Sequence, residues 1–300
     1  MKVVAPGKVL LFGAYSVLEG TEALVVAVDR YVVADTTRRE PSPSREVRAA
    51  LGDVAAPAVD VSGLYAAAQK LGLGSSAAVL VATLGARAAE RGEDLASPAA
   101  RRAIFAAAKQ AHAVAQGGGS GVDIAASTYG GALFYAMDGF DAERGRTSLP
   151  GGLVLRVFWS GASARTSDLV ARVKALGDRD RSAYRGAIEA VGAAVRAAKS
   201  ACATNDFRAL VAAGVANGTA LADLGCAADA PVVPAAFADL GAAAADEEAA
   251  FYPSGAGGGD VGVWLGGALP SARFVARAAS RGMSPLDLGV DHAGLRIRKD

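Results

Sequence analysis

Lys70-Leu71-Gly72-Leu73-Gly74-Ser75-Ser76 runs without a break into Ala77–Glu90, a stretch of good helix formers. This junction decides the fold. Its two glycines let backbone amides approach a ligand with no Cβ in the way, and a helix start leaves amides unpaired and partly positive. Together they make an anion site suited to phosphate, with Ser75 and Ser76 offering hydroxyls to a phosphate oxygen or to Mg²⁺. The plainer alternative is a Gly-rich turn closed by a serine cap. It is not a P-loop, because no Gly-Lys-Ser/Thr closes it.

Upstream, Val3–Val4 and Val9–Phe12 read as strands around a tight Ala5-Pro6-Gly7-Lys8 link, and Ala23–Thr37 as one long or bent strand. Residues 45–68 carry too weak a pattern to assign. Downstream, Ser97-Pro98 reads as an N-cap followed by Pro at the first helical position, opening a helix that stops at Gly117. Residues 124–137 read as a helical turn, a Gly-Gly break and a strand. After Pro150-Gly151-Gly152 the pattern restarts, which sets a domain boundary near Leu149. Leu153–Trp159 reads as a strand, Thr166–Leu176, Ser182–Ser200, Phe207–Leu224 and Pro234–Phe251 as helices. Asp260–Leu265 reads as a strand, Ser271–Arg281 as a helix and Gly294–Arg298 as a closing strand.

Composition bounds the function. In 300 residues, 52% are hydrophobic and 20% charged, which excludes a disordered chain. The 31 basic and 30 acidic residues leave a formal charge of +1, so no electrostatic footprint for nucleic acid or anionic membrane is present. Cys202 and Cys226 are too few for a disulfide scaffold or a four-cysteine zinc site, and with only His112 and His292 beside them a soft-ligand metal centre is not expected. The cysteine usage favours a reducing, cytoplasmic compartment. The N-terminal residues show no cleavable leader pattern.

Three further segments carry chemistry. Pro253-Ser254-Gly255-Ala256-Gly257-Gly258-Gly259-Asp260 gives the backbone room to pass close to a ligand; the alternative is a flexible hairpin loop. Gly117-Gly118-Gly119-Ser120-Gly121-Val122-Asp123 ends a Gly-rich loop on a carboxylate, a residue that is more often a cap or turn. Lys8 stands in the first link, where the plain reading is an exposed lysine. Gly161-Ala162-Ser163-Ala164-Arg165-Thr166 adds two hydroxyls and a guanidinium at an expected helix start, an anion site or simply a Ser/Thr cap.

In order along one chain, Ala5-Pro6-Gly7-Lys8-Val9-Leu10-Leu11-Phe12-Gly13, then Gly72-Leu73-Gly74-Ser75-Ser76-Ala77-Ala78, then Gly255-Ala256-Gly257-Gly258-Gly259-Asp260 resembles the three-motif signature of the GHMP kinase superfamily. The resemblance implies an α/β (α+β) GHMP kinase fold. Its N-terminal ATP-binding domain, residues 1–149, would be like domain 2 of ribosomal protein S5, with a left-handed crossover. A ferredoxin-like C-terminal domain, residues 150–300, would complete a cleft for ATP and acceptor. Within the superfamily, Gly13-Ala14-Tyr15-Ser16-Val17-Leu18-Glu19, Lys70 and Ala111–Gly117 are similar to the phosphomevalonate kinases, as is Asp260 at the end of the third motif. Mevalonate kinases carry a Mg²⁺-binding Glu eleven positions before the catalytic Asp; here that position is His112. The run Ser127-Thr128-Tyr129-Gly130-Gly131 looks more like the mevalonate kinases.

The resemblance implies Mg²⁺-assisted phosphoryl transfer from ATP to phosphomevalonate, with Asp123 and Lys8 as catalytic residues. ATP would be bound by Lys70, Gly72, Leu73, Gly74, Ser75, Ser76 and Ala77, with Mg²⁺ on the Ser76 hydroxyl. The acceptor would meet Lys8, Tyr15, Ser120, Asp123, Ser163, Arg165, Thr166, Ser254, Gly255, Ala256 and Gly257. Small molecules are the expected partners, with no nucleic acid and no membrane, for a monomer or homodimer. A mevalonate or other small-alcohol kinase of the same fold is the second reading. A non-catalytic sensor of that fold is the third, weakened by the presence of both Asp123 and Lys8.

Overall fold

A computed structural model describes residues 1–66, 68–163 and 166–298. The chain runs β1 (Lys2–Phe12), β2 (Ala23–Glu40), α1 (Arg45–Leu51), β3 (Ala56–Asp60), β4 (Tyr65–Ala66), β5 (Gln69–Lys70), α2 (Ser75–Glu90), α3 (Pro98–Gln116), α4 (Val122–Tyr129), β6 (Ala132–Tyr135), α5 (Ala142–Gly145) and β7 (Arg146–Thr147). It continues as β8 (Val154–Trp159), α6 (Thr166–Arg179), α7 (Arg181–Ala203), α8 (Phe207–Ala227), α9 (Ala235–Ala245), β9 (Ala250–Pro253), β10 (Val261–Gly266), α10 (Ala272–Ser280), β11 (Ser284–Leu286) and β12 (Arg296–Ile297). Packing divides it into two compact units, one of Met1–Val9, Val25–Arg146 and Gly289–Asp300, the other of Leu10–Leu24 and Thr147–Leu288. The expected boundary near Leu149 lies beside the switch at Arg146, while 10–24 and 289–300 each pack with the opposite half of the chain.

The first unit is built on a sheet of order β12-β1-β2-β6-β7, with β3 added on β2. β1 is continuous, not two strands around a link. It carries through Pro6, whose carbonyl accepts a 2.8 Å bond from Ser127 Oγ, and Gly7, where a Cβ would stand 2.8 Å from the Leu73 carbonyl oxygen. The strand survives there because a proline carbonyl still accepts and a glycine admits the neighbouring loop. α2 is buried on nearly every face, including Ala77, Ala78, Leu80, Val81, Ala82 and Ala86. Its small residues let neighbours come close: a Cβ on Gly85 would collide with Leu295. α3 buries only the stripe Ile104, Ala108, Ala111 and Ala115, and ends on left-handed Gly117 as expected. Ser97 sits at the cap position but makes no side-chain cap bond. The stretch that sequence patterning left unassigned holds α1, β3 and the β4–β5 hairpin, elements too short to impose a period.

In the second unit the sheet runs β11-β8-β10-β9, every neighbouring pair antiparallel. With helices between β8 and β9 and between β10 and β11, this is the split β-α-β arrangement of a ferredoxin-like domain. Phe158, Phe237, Phe251, Trp264 and Phe274 form its core, Trp264 and Phe274 at 4.6 Å between ring centroids. The expected helix Pro234–Phe251 is corrected: α9 stops at Ala245, Glu248 turns with φ 52, and Ala250–Pro253 form β9. Alanine favours helix, but burying Phe251 and Tyr252 on β10 decides the matter. β11 was not anticipated. α8 is the one described helix long and apolar enough to cross a membrane, and its Leu210, Leu221 and Leu224 are buried in this unit.

Candidate active site

In the first unit, the Gly-rich turn, β1 and α4 bring the expected reactive side chains together. Gly74 caps α2 in the left-handed conformation, φ 77, and the Lys8 amide donates to the Leu73 carbonyl at 2.8 Å. That bond fastens the strand to the turn. The Lys8 side chain is buried, and its Nζ lies 3.5 Å from Asp123 Oδ1 in the first turn of α4. A Cβ on Gly74 would stand 3.0 Å from Lys8 Cγ and Cε and 3.5 Å from Asp123 Oδ2. The missing side chain therefore makes room for the ion pair as well as for a ligand. Lys8 is no exposed lysine. A buried ammonium is costly unless paired, so the carboxylate is part of the reason that it can sit there.

Ser75 is buried and Ala77 fully so, within the first turn of α2, while Lys70 is exposed on the β4–β5 hairpin and Gly72 has φ 78. Ser76 Oγ donates to Glu46 Oε1 at 2.8 Å and accepts from Gln116 Nε2 at 3.1 Å. Burial raises the Glu46 pKa, but its own amide and the hydroxyls of Ser76 and Ser44 outweigh this and leave it below the ordinary value. Burial holds the His112 imidazole below its usual pKa, against the pull of Asp123 and Glu46. Glu46 was missed because α1 carries no recognisable pattern; a Ser44 cap ahead of an acidic first turn is the one signal available. Ser120 Oγ accepts from the Val122 amide at 3.3 Å, and its carbonyl accepts from Tyr135 Oη at 2.5 Å. Mg²⁺ prefers oxygen ligands, one or two carboxylates together with substrate phosphates. Ser76 Oγ and Glu46 fit that donor set. No cluster of three or more His, Cys, Asp or Glu side chains that could hold a metal occurs among the described residues.

In the second unit, Ser254, Gly255, Ala256 and Gly257 form an anchored loop rather than a flexible hairpin. Ser254 Oγ accepts from the Leu10 amide at 3.1 Å and donates to the Leu10 carbonyl at 3.0 Å. Tyr15 Oη donates to the Ala256 carbonyl at 2.5 Å, and burial pushes that phenol's pKa well up. A Cβ on Gly257 would overlap the Val232 carbonyl. The Asp260 amide donates to the Ala162 carbonyl at 2.9 Å, tying the loop's end to the residue before Ser163, while Thr166 is the first residue of α6. Arg165 lies outside the described residues.

Residues 46–131 match the family model of the GHMP kinases N terminal domain. The chain is 29% identical to phosphomevalonate kinase of Streptomyces sp. (strain CL190), over 87% of this chain and 88% of that one. It is 30% identical to mevalonate kinase of Archaeoglobus fulgidus, over 58% of this chain and 63% of that one. The structure of Streptococcus pneumoniae phosphomevalonate kinase with phosphomevalonate and AMPPNP has the same fold, with a TM-score of 0.79 at 20% identity, covering 97% of this chain and 99% of the other. Residues 46–131 thus match a GHMP kinase domain, and the chain as a whole is similar to the GHMP kinases and shares their fold. Its likeness extends further along a phosphomevalonate kinase than along the archaeal mevalonate kinase.

Proposed function

We propose that this kinase transfers the γ-phosphoryl group of ATP to (R)-5-phosphomevalonate, giving 5-diphosphomevalonate and ADP, in the cytoplasm on the mevalonate route to isoprenoids. The reach of the likeness to a phosphomevalonate kinase, over 87% of this chain, is the observation that carries the choice of acceptor. A phosphate oxygen of the acceptor attacks the γ-phosphorus as the bond to the ADP oxygen breaks. Amides of the turn at Gly72–Ser76 cradle the ATP phosphates, and the Ser76 hydroxyl would hold a Mg²⁺ ion that would supply charge neutralisation. Lys8 offsets repulsion between the two approaching anions. A phosphate monoester has its second pKa near 6 and is largely dianionic at pH 7, so it needs little help losing a proton. Asp123, 3.5 Å from Lys8, accordingly serves mainly to orient that ammonium. The acceptor's phosphate is assigned to Arg165 with Ser163 and Thr166.

The second reading, a mevalonate kinase, draws on the 30% identity to the Archaeoglobus fulgidus enzyme. The run Ser127-Thr128-Tyr129-Gly130-Gly131, which resembles that family, also favours this reading; its first three residues are buried in α4, with Ser127 bonded to the Pro6 carbonyl. ADP release measured side by side with mevalonate and phosphomevalonate separates the two. Arg165→Ala should raise KM for phosphomevalonate about 10- to 150-fold and KM for ATP little. A higher kcat/KM with mevalonate in the wild type, unchanged by Arg165→Ala, would favour the second reading.

A further inference from the structure

The start of α2 presents a conflict of charge. Its amides and partial positive charge suit an anion, yet a carboxylate already stands there: Glu46 Oε1 accepts from Ser76 Oγ at 2.8 Å. Glu46 belongs to α1, which packs on α2 and α3, so this placement is tertiary rather than local. Nucleotide phosphates arriving at the same turn would meet like charge in a half-buried setting. A divalent cation between carboxylate and phosphates turns that repulsion into two attractions.

The hydroxyl is already oriented for such an ion. A serine hydroxyl has one proton and two lone pairs. The Ser76 proton goes to Glu46, and one lone pair takes the Gln116 amide at 3.1 Å. The second lone pair is left for a cation. His112, the titratable group that faces both Glu46 and Asp123, is a nitrogen donor and a poor match for Mg²⁺. We propose that Glu46, together with Ser76 Oγ, is the protein's ligand for the divalent cation of the bound nucleotide. This rests on the kinase reading above.

The test uses the full chain, with ADP and Mn²⁺ as probes. Calorimetry gives ADP affinity with and without Mg²⁺, and electron paramagnetic resonance gives Mn²⁺ affinity of the enzyme–ADP complex. Glu46→Gln keeps an oxygen to accept from Ser76 but removes the charge. Metal-free ADP should bind the variant as tightly as the wild type or more so, while Mn²⁺ affinity falls about 10- to 100-fold. Ser76→Ala should lower Mn²⁺ affinity too, and the double variant should fall short of the product of the two losses. Unchanged Mn²⁺ affinity in Glu46→Gln overturns the assignment. So does tighter ADP binding with the metal dependence intact, which would make Glu46 a competitor of phosphate. If Glu46→Gln fails to fold, Glu46→Asp, which withdraws the carboxylate by one methylene, is read by the same criterion. A wild type that binds no ADP in either condition overturns the kinase reading itself.

Discussion

Lys8 and Asp123 show how much one side chain's setting can say. Their side chains are 10% and 30% exposed, so the ammonium is the more sheltered partner. Removing Asp123 leaves a buried cation with less compensation than removing Lys8 leaves a carboxylate that water still reaches. Asp123→Asn should therefore lower stability by about 1–3 kcal/mol, and Lys8→Met by less. Both should lower kcat at least tenfold, because under the proposed function each changes the charge set against the acceptor. Thermal melts beside steady-state rates check this; near-wild-type turnover in both variants would remove the pair from the mechanism. His112 gives a pH prediction. Burial lowers its folded pKa beneath the unfolded value near 6.5, so the unfolded chain binds more protons between the two. The contribution of the neutral imidazole is full above pH 6.5 and is lost as pH falls through the folded pKa. His112→Gln should flatten the fall in melting temperature on acidification below about pH 6.5. An unaltered slope would assign that acid sensitivity to other groups.

Elements rather than single residues decide how the third glycine run works. Tyr15 holds φ 64, a conformation costly for a bulky side chain, and its phenol is bonded to Ala256. The neighbouring Gly255, Gly257 and Gly258 also have positive φ, and the Val232 carbonyl occupies the place of a Gly257 side chain. Tyr15 is thus a tether of this loop. Tyr15→Phe should cost about 0.5–1.5 kcal/mol and leave the loop less ordered, raising KM for the acceptor more than it lowers kcat. Gly257→Ala should be worse, since φ 78 and the carbonyl both oppose a methyl group. Hydrogen exchange on residues 254–260 checks the ordering, and unchanged protection in both variants would make the tether idle. The glycines themselves were legible in the sequence, because few other residues serve such backbone. Their anchors, Val232 and the Tyr15 phenol, were not, since nothing local marks a contact between residues 241 apart in sequence. For the same reason Glu46 and the α9–β9 break were missed: one lies on a seven-residue helix, the other inside an alanine run whose propensity points to helix. Long periodic helices and the turn at Gly74 were read with their ends nearly right, because caps and apolar stripes are local signals.

At the scale of the molecule, the end of the chain belongs to the unit where it begins. Val3 pairs with Ile297 on the sheet edge, the Asp291 amide donates to the Ala27 carbonyl at 2.9 Å, and the Gly131 amide donates to the Asp291 carbonyl at 2.6 Å. Leu295 is fully buried against Gly85, and its amide donates to the Thr128 carbonyl at 3.1 Å. Arg101 holds the carbonyls of Ala293 and Leu295 at 3.0 and 3.1 Å. The Asp291 carboxylate is buried and gathers the Tyr31 hydroxyl, the amides of Ala293 and Gly294, and Arg296. Thr128 lies in the last turn of α4, the helix whose first turn carries Asp123, so the returning segment buttresses the element that positions that carboxylate. A fragment ending at Leu149 therefore lacks an edge strand and a core leucine, and should not unfold cooperatively by itself. In the full chain, Leu295→Ala opens a cavity beneath α2 and should cost about 2–5 kcal/mol. Its effect on rate follows from geometry. A loosened α4 lets Asp123 drift from Lys8, and misplacement by about 1 Å far from the chemistry can cost on the order of 10²-fold. Leu295→Ala should thus lower kcat even at temperatures where the protein stays folded, while Leu295→Met, which keeps the volume, should retain both stability and rate. Melting curves and rates on the two variants decide the point: a destabilised Leu295→Ala with undiminished kcat would confine the returning segment to a purely structural role.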